Sequence, residues 1–164
     1  MAAIDVGPGA TNRGSSQNSP ANYTFVDHNN PANDTGTLDT FEIWANASLS
    51  SVLMGTFYYK SGVGYYNRDY ETIGNVTSGS KQTFTGKNCD VSSGDFLGFG
   101  ATSGTGGKIE TDTSGYSGYI IDDANDFGGG AFAAIASMTG DALSIYATGA
   151  TAAAGNPYYY YLNQ

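Results

Sequence analysis

Two neighbouring segments, TLDTFEIWAN at residues 37–46 and VLMGTFYYK at residues 52–60, decide the reading of this chain. In the first, Phe41, Ile43 and Ala45 fall on one side of an extended backbone and Thr40, Glu42 and Trp44 on the other. That period of two belongs to a half-buried strand. In the second, Leu53, Phe57 and Tyr59 alternate with Val52, Met54, Thr56 and Tyr58. Both of its faces are fairly apolar, so it reads as a central strand covered on both sides.

Working outward, strands are expected at YTFVDH, YYNRDYETIG, KQTFTG, DFLGFGAT, KIETDT, GYIID and LSIYATG, divided by turn-forming segments such as NNPANDTG, SGVG, TSGS and SGTGG. Nine or ten strands without crossover helices predict an all-β, antiparallel two-sheet sandwich, jelly-roll-like where connections are long. In the stretch FGGGAFAAIASM, residues around 131–138 fit a strand of small residues better than a helical turn, with Gly128, Gly129 and Gly130 as a flexible entry. Residues 1–149 are read as one β-sandwich domain. Residues 150–164 form a Tyr-rich C-terminal strand or arm, in which Tyr158, Tyr159, Tyr160 and Tyr161 present rings to both faces. Such an arm either completes its own sandwich or docks on a neighbouring copy, and association is assigned to these four residues.

Composition narrows the function. The 164 residues carry 13% charged and 13% aromatic residues, 24 Gly and a net charge of -9. Six basic residues scattered along the chain do not make a phosphate-binding surface, so nucleic acid is not an expected partner. The single Cys89 allows no intrachain disulfide, and the single His28 supplies no paired imidazoles for zinc. No run approaches the roughly 18 apolar residues of a membrane span, and MAAIDVGPGA has no signal-peptide pattern.

Candidate sites are few. Glu42 and Trp44 share a strand face, where a carboxylate can bond a sugar hydroxyl while the indole stacks on its apolar side; against this, a lone Trp in a sandwich more often packs between sheets. Tyr65, Tyr66 and Tyr116 extend the ligand-binding set, with packing and subunit contact as competing uses. Acidic and amide oxygens gather at DHNNPANDTG and at DDANDFGG, where Asp122, Asp123, Asn125 and Asp126 form the candidate metal site. Calcium is the cation such hard donors suit, although Asp, Asn and Gly also populate turns for backbone reasons. No cofactor is otherwise implied. His28 lacks a GxSxG partner, the Gly-rich runs lack the continuation of a phosphate loop, and Cys89 reads as a packed thiol. Sequons at Asn22, Asn33, Asn46 and Asn75 are no excess in a chain this rich in Asn, Ser and Thr.

The segments NNPANDTGTLDTFEIWAN, TIGNVTSGSKQTFTG, VSSGDFLGF and IETDTSGYSGY, in this order, resemble uncharacterised β-sandwich domains of metagenomic and phage-like reading frames. The likeness covers roughly residues 4–149 and implies a sandwich, with no established activity to carry over. A broader resemblance, to concanavalin-like lectins and glucanases, is one of architecture. Retaining glucanases of that fold set two Glu and an Asp on one strand face. Here IETDT offers Glu110 and Asp112 without the second Glu, and FEIW offers Glu42 alone, so no catalytic residues are expected.

The function these observations favour is a non-enzymatic structural or surface-display module of a virion or extracellular assembly, forming a homo-oligomer. A carbohydrate-binding module that contacts surface glycans is the alternative, and a glycan hydrolase is the weakest reading. The expected core comprises Phe41, Ile43, Phe57, Phe84, Phe96, Ile120 and Ile145.

Overall fold

A computed structural model describes residues 1–104 and 106–152. Thirteen strands occur among them: β1 Ala3–Val6, β2 Ser15–Asn18, β3 Tyr23–Asp27, β4 Gly36–Ala47, β5 Leu49–Lys60, β6 Gly64–Val76, β7 Lys81–Val91, β8 Phe96–Ser103, β9 Lys108–Asp112, β10 Tyr119–Asp122, β11 Ala136–Met138, β12 Ala142–Leu143 and β13 Ile145–Ala150. No helix is present among the described residues. The strands form two antiparallel sheets. The first runs β1-β13-β4-β9-β12, with β2 on β9 and β7 on β4; the second runs β11-β10-β3-β8-β5-β6. From β3 to β5 the chain crosses between the sheets of the sandwich at each step, and it crosses again at β7, β8, β9 and β10, through connections as short as Ser48 alone between β4 and β5.

The period of two in 37–46 turns Leu38, Phe41, Ile43 and Ala45 of β4 into the sandwich. A register shift between Leu38 and Thr40 brings Leu38 onto the same face as Phe41 despite the odd spacing. Opposite them, β5 contributes Val52 and Met54, β3 Phe25 and β8 Leu97 and Phe99. Phe25 and Phe99 stack at 4.9 Å between ring centroids. Cys89 is buried in this core, as expected of a packed thiol, and burial pushes it up to about 12.

The seven expected core residues are all withdrawn from water, but into two clusters. Phe41, Ile43 and Ile145 lie between the sheets, with Phe84 partly buried against them. Phe57, Ile120 and the partly buried Phe96 lie on the outer face of the second sheet with Val26, Phe127 and Phe132. Residues 123–135 form a strap that covers that face, and of the strand expected around 131–138 only Ala136–Met138 pairs, as β11.

The rims are closed by side chains. Asn33 mimics a strand at β1, accepting from the Asp5 amide at 3.1 Å and donating to the Ala3 carbonyl at 3.4 Å. Where β6 and β7 face each other across the sheets, Glu71 accepts from the Asn88 amide at 2.9 Å and Asp69 from the Asp90 amide at 2.8 Å. Strand edges left bare would template pairing with other chains, and these carboxylates occupy the donors instead. Arg68 of β6 grips the buried Asp95 carboxylate with two nitrogens, Nη2 to Oδ1 at 3.0 Å, and its guanidinium lies 4.9 Å from the Tyr58 ring centre.

Truncating Phe41 removes a fully buried ring from the middle of β4. Phe41→Ala is expected to cost about 3 to 5 kcal/mol in denaturant unfolding. A loss below about 1 kcal/mol would place the ring outside the core.

Candidate functional site

The first group of sequence candidates stands on the outer face of the first sheet. β4 turns Glu42 and Trp44 outward, both half-buried, so the indole is on the face of the sandwich and outside its inter-sheet core. Glu42 accepts from Lys81 of β7 at 2.9 Å and lies opposite Thr83 on one side and Tyr146 of β13 on the other. Tyr146 in turn points its hydroxyl toward Asp5 of β1, 3.4 Å away. Trp44 and Tyr146 thus flank a carboxylate that already carries an ion pair.

Tyr116 belongs elsewhere. Its hydroxyl accepts from Arg13 Nη1 at 3.0 Å, and its ring lies 5.1 Å from the same guanidinium. Arg13 is buried, bonds Asp112 at 2.7 Å and donates to the carbonyls of Pro8 and Gly9. It therefore fastens the segment after β1 to β9. Tyr65 and Tyr66 take opposite faces of the β5–β6 hairpin: Tyr65 packs against Phe96, Phe132 and His28, and Tyr66 stacks on Tyr58. The five ligand-binding candidates are consequently distributed over both sheets.

The carboxylates weighed for sugar chemistry are held by neighbours. Glu110 is buried, accepting from Asn46 at 2.7 Å and from the Arg13 amide at 3.3 Å, and Asp112 holds Arg13. Asn46 and Asn33, two of the sequon residues, have their amides occupied by these contacts, and Asn75 accepts from the Ser51 amide.

Of the four metal candidates, Asp122 and Asp126 are buried together whereas Asp123 and Asn125 are exposed. Asn125 Oδ1 accepts from the Phe127 amide, an Asx turn. No group of three or more His, Cys, Asp or Glu side chains converges among the described residues. Burial and the adjoining Asp122 carboxyl raise Asp126 to about 6. His28, half-buried between Tyr65 and Phe96, is pushed below its ordinary range by burial.

A further buried acid is Asp27 at the end of β3, one of the oxygen donors gathered at DHNNPANDTG in the sequence. Its Oδ1 accepts from the Asn29 amide at 2.7 Å and the Asn29 side chain at 2.8 Å, and its Oδ2 from the Leu143 amide at 2.7 Å. Burial nevertheless raises it to about 6. The D-x-N spacing of Asp27 and Asn29 was the available signal, since that pair commonly closes a turn on itself. A shallow hollow of about 330 Å³ near Pro20, Ala21 and Gly106 has no ionisable group in its lining among the described residues.

Comparison with protein-family models, curated proteins and solved structures returned no match. The geometry therefore defines the class on its own: an antiparallel β-sandwich with one open, aromatic-bearing outer face and a second outer face covered by its own chain.

Asp27 and Asp126 each bind their proton more tightly folded than unfolded, where the carboxyl lies at 3.8. The folded state thus holds more protons between about pH 4 and pH 6, and stability falls with rising pH across that window. Melting temperature is expected to drop from about pH 4 to about pH 6.5 and then level off. Asp27→Asn should flatten part of the slope; a melting temperature that rises through this window contradicts the assignment.

Proposed function

We propose that this chain is a non-enzymatic, self-associating structural or surface-display module of a virion or extracellular assembly. The observation that carries this reading is the commitment of its carboxylates to the frame: Glu110 is held by Asn46 and the Arg13 amide, Asp112 by Arg13 and Glu42 by Lys81. Acid–base chemistry on a glycan needs two carboxyl groups facing one bond with freedom to exchange protons. The side-chain closures at β1 and along β6–β7 favour contact between copies through sheet faces and the terminal segment over edge pairing. Residues 156–164, including Tyr158 to Tyr161, lie outside the described residues and supply consecutive aromatic side chains suited to an interface.

Light scattering on the full chain is expected to give an oligomer, and deletion of residues 156–164 a monomer of unchanged melting temperature. A monomeric full chain at high concentration would sink the self-associating reading.

One observation favours the alternative, a carbohydrate-binding module: Trp44 and Tyr146 stand beside Glu42 on an open face. Aromatic rings stack on the apolar faces of sugars while a neighbouring carboxylate accepts from hydroxyls. Affinity electrophoresis in soluble polysaccharides tests it. Retardation that Trp44→Ala abolishes without loss of fold supports recognition, and free migration in every polysaccharide rejects it.

A further inference from the structure

β5 and β6 run on past the rest of the second sheet as a projecting hairpin. β8 pairs with β5 only as far as Phe96 opposite Phe57, while residues 58–60 continue paired with 64–66. The register sets Tyr58 opposite Tyr66 and Tyr59 opposite Tyr65, so each face of the overhang carries two rings.

The two faces differ in what covers them. On the outer side Tyr65 packs against Phe96, His28 and Phe132 of the strap, and its carbonyl accepts from the Phe132 amide. On the inner side Tyr58 and Tyr66 stack at 5.8 Å between ring centroids, and among the described residues neither joins a hydrophobic cluster. Two cations border this pair: the Arg68 guanidinium at Tyr58 and the Lys60 ammonium, 5.8 Å from the Tyr66 ring centre. Arg68 is committed to Asp95, whereas Lys60 is exposed and belongs to no ion pair among the described residues.

The stacked pair overhangs the rim at which β13 ends. Ala150 lies opposite Thr37 and Ala3, the Thr151 amide donates to the Ala2 carbonyl, and Gly36, next to Thr37, pairs with Val91. Val91 leads through Ser92 to Asp95, the carboxylate that holds Arg68 against Tyr58. One rim therefore carries both the hairpin and the root of the segment beyond Ala152. That segment, 153–164, adds twelve residues without a charged side chain, Tyr158, Tyr159, Tyr160 and Tyr161 among them. At full stretch these four tyrosines reach about 20 to 30 Å from Ala152, enough to cross a rim between sheets that pack about 10 Å apart. Tyrosine rings pack edge-on or offset against one another, and an ammonium seats on a ring face or donates to a phenol oxygen. Tyr58, Tyr66 and Lys60 offer those partners to an uncharged, tyrosine-rich segment.

We propose that the inner face of this hairpin, formed by Tyr58, Tyr66 and Lys60, is the seat for the Tyr158–Tyr161 segment of a second copy. The proposal rests on the self-associating reading above and names the surface that association uses. Because seat and tail belong to one rim, two copies meeting rim to rim each give a tail and receive one, and the exchange closes as a two-fold dimer instead of extending as a filament.

Sedimentation velocity on the full chain and its variants tests the seat. Tyr66→Ala, at unchanged melting temperature, should raise the dimer dissociation constant at least about thirtyfold, the loss expected of an aromatic hot spot. Tyr58→Ala takes its place should the first variant fold poorly. A second sample mixes Tyr66→Ala with the chain lacking residues 156–164. Each alone should be monomeric, and together they should give a mixed dimer, since one brings a tail and the other an intact seat. A folded Tyr66→Ala that assembles as tightly as the unaltered chain overturns the proposal and leaves self-association standing. So does a mixture that stays monomeric, which puts the tail on its own hairpin or on another surface. Loss of polysaccharide retardation in Tyr66→Ala with assembly intact also overturns it, because the occupant is then a glycan. A monomeric unaltered chain removes the self-associating reading itself, and the seat with it.

Discussion

The arrangement of the two sheets depends on one buried carboxylate. Asp27 ends β3 in the second sheet and accepts from the Leu143 amide of β12 in the first. Asn29, oriented by the same carboxylate, reaches the Asp141 carbonyl at 3.1 Å and accepts from the Ser117 amide at 2.6 Å. Three connections that would otherwise leave buried backbone groups unpaired are thereby satisfied by two side chains. An acid in this position is taken out of water at a cost that its donors reduce without removing, which is why its titration lies above the ordinary carboxylate range. With this corner fixed, β3 can run through the middle of the second sheet with Phe25 against the inter-sheet core and Val26 against the strap.

Covering the second sheet on both faces explains a contrast between the strands. β4 alternates cleanly, because its outer face, with Glu42 and Trp44, is partly open to solvent. β3 and β10 are buried over almost their whole length, as strands in a three-layer arrangement must be. The third layer here is a single strap and not a sheet or helix, held by two phenyl anchors, by side-chain acceptors at Thr24, Asn67 and Asp122, and by backbone bonds from the Phe132 amide to Tyr65 and from the Ile135 amide to Ile121.

Alternation in apolar residues made the long strands legible: the segments read at 23–28, 37–46, 52–60, 65–74, 81–86, 95–102, 108–113, 118–122 and 143–149 correspond to β3 through β10 and β13. β2 was not legible, because SSQN has no apolar residue and becomes a strand only through its register on β9. β1 and β12 are likewise short, four and two residues long, and depend on partners far along the chain. Within the site, the outward direction of Trp44 followed from its spacing to Phe41 and Ile43, yet the common placing of a lone Trp argued for packing. The acids at 122–126 stood out as oxygen donors, but separation along the sequence does not tell which of them turn inward. The chain reverses after β10 so that Asp122 and Asp126 meet while Asp123 faces solvent.

Glycine, abundant in this chain, has two separate uses, and the distinction bears on how the strap is read. At Gly128 to Gly130 it permits positive φ in an exposed turn. At Gly98 and Gly100 the backbone is extended strand, φ is not the constraint, and the missing side chain is what matters. The Phe57 ring occupies the space a Cβ at Gly98 would take, and the Phe127 ring closes on Gly100. A side chain at either position would lift an aromatic anchor from the sheet, and since rigid rings in a close-packed layer cannot re-form their contacts at a distance, the whole of 123–135 would lose its seat. The glycines of β8 and the phenylalanines of the strap are therefore a single packing device written in two distant parts of the sequence. Both anchors are also tied to the turn after β10: Asp126 precedes Phe127 in the chain, and Asp122 accepts from the Ala133 amide next to Phe132.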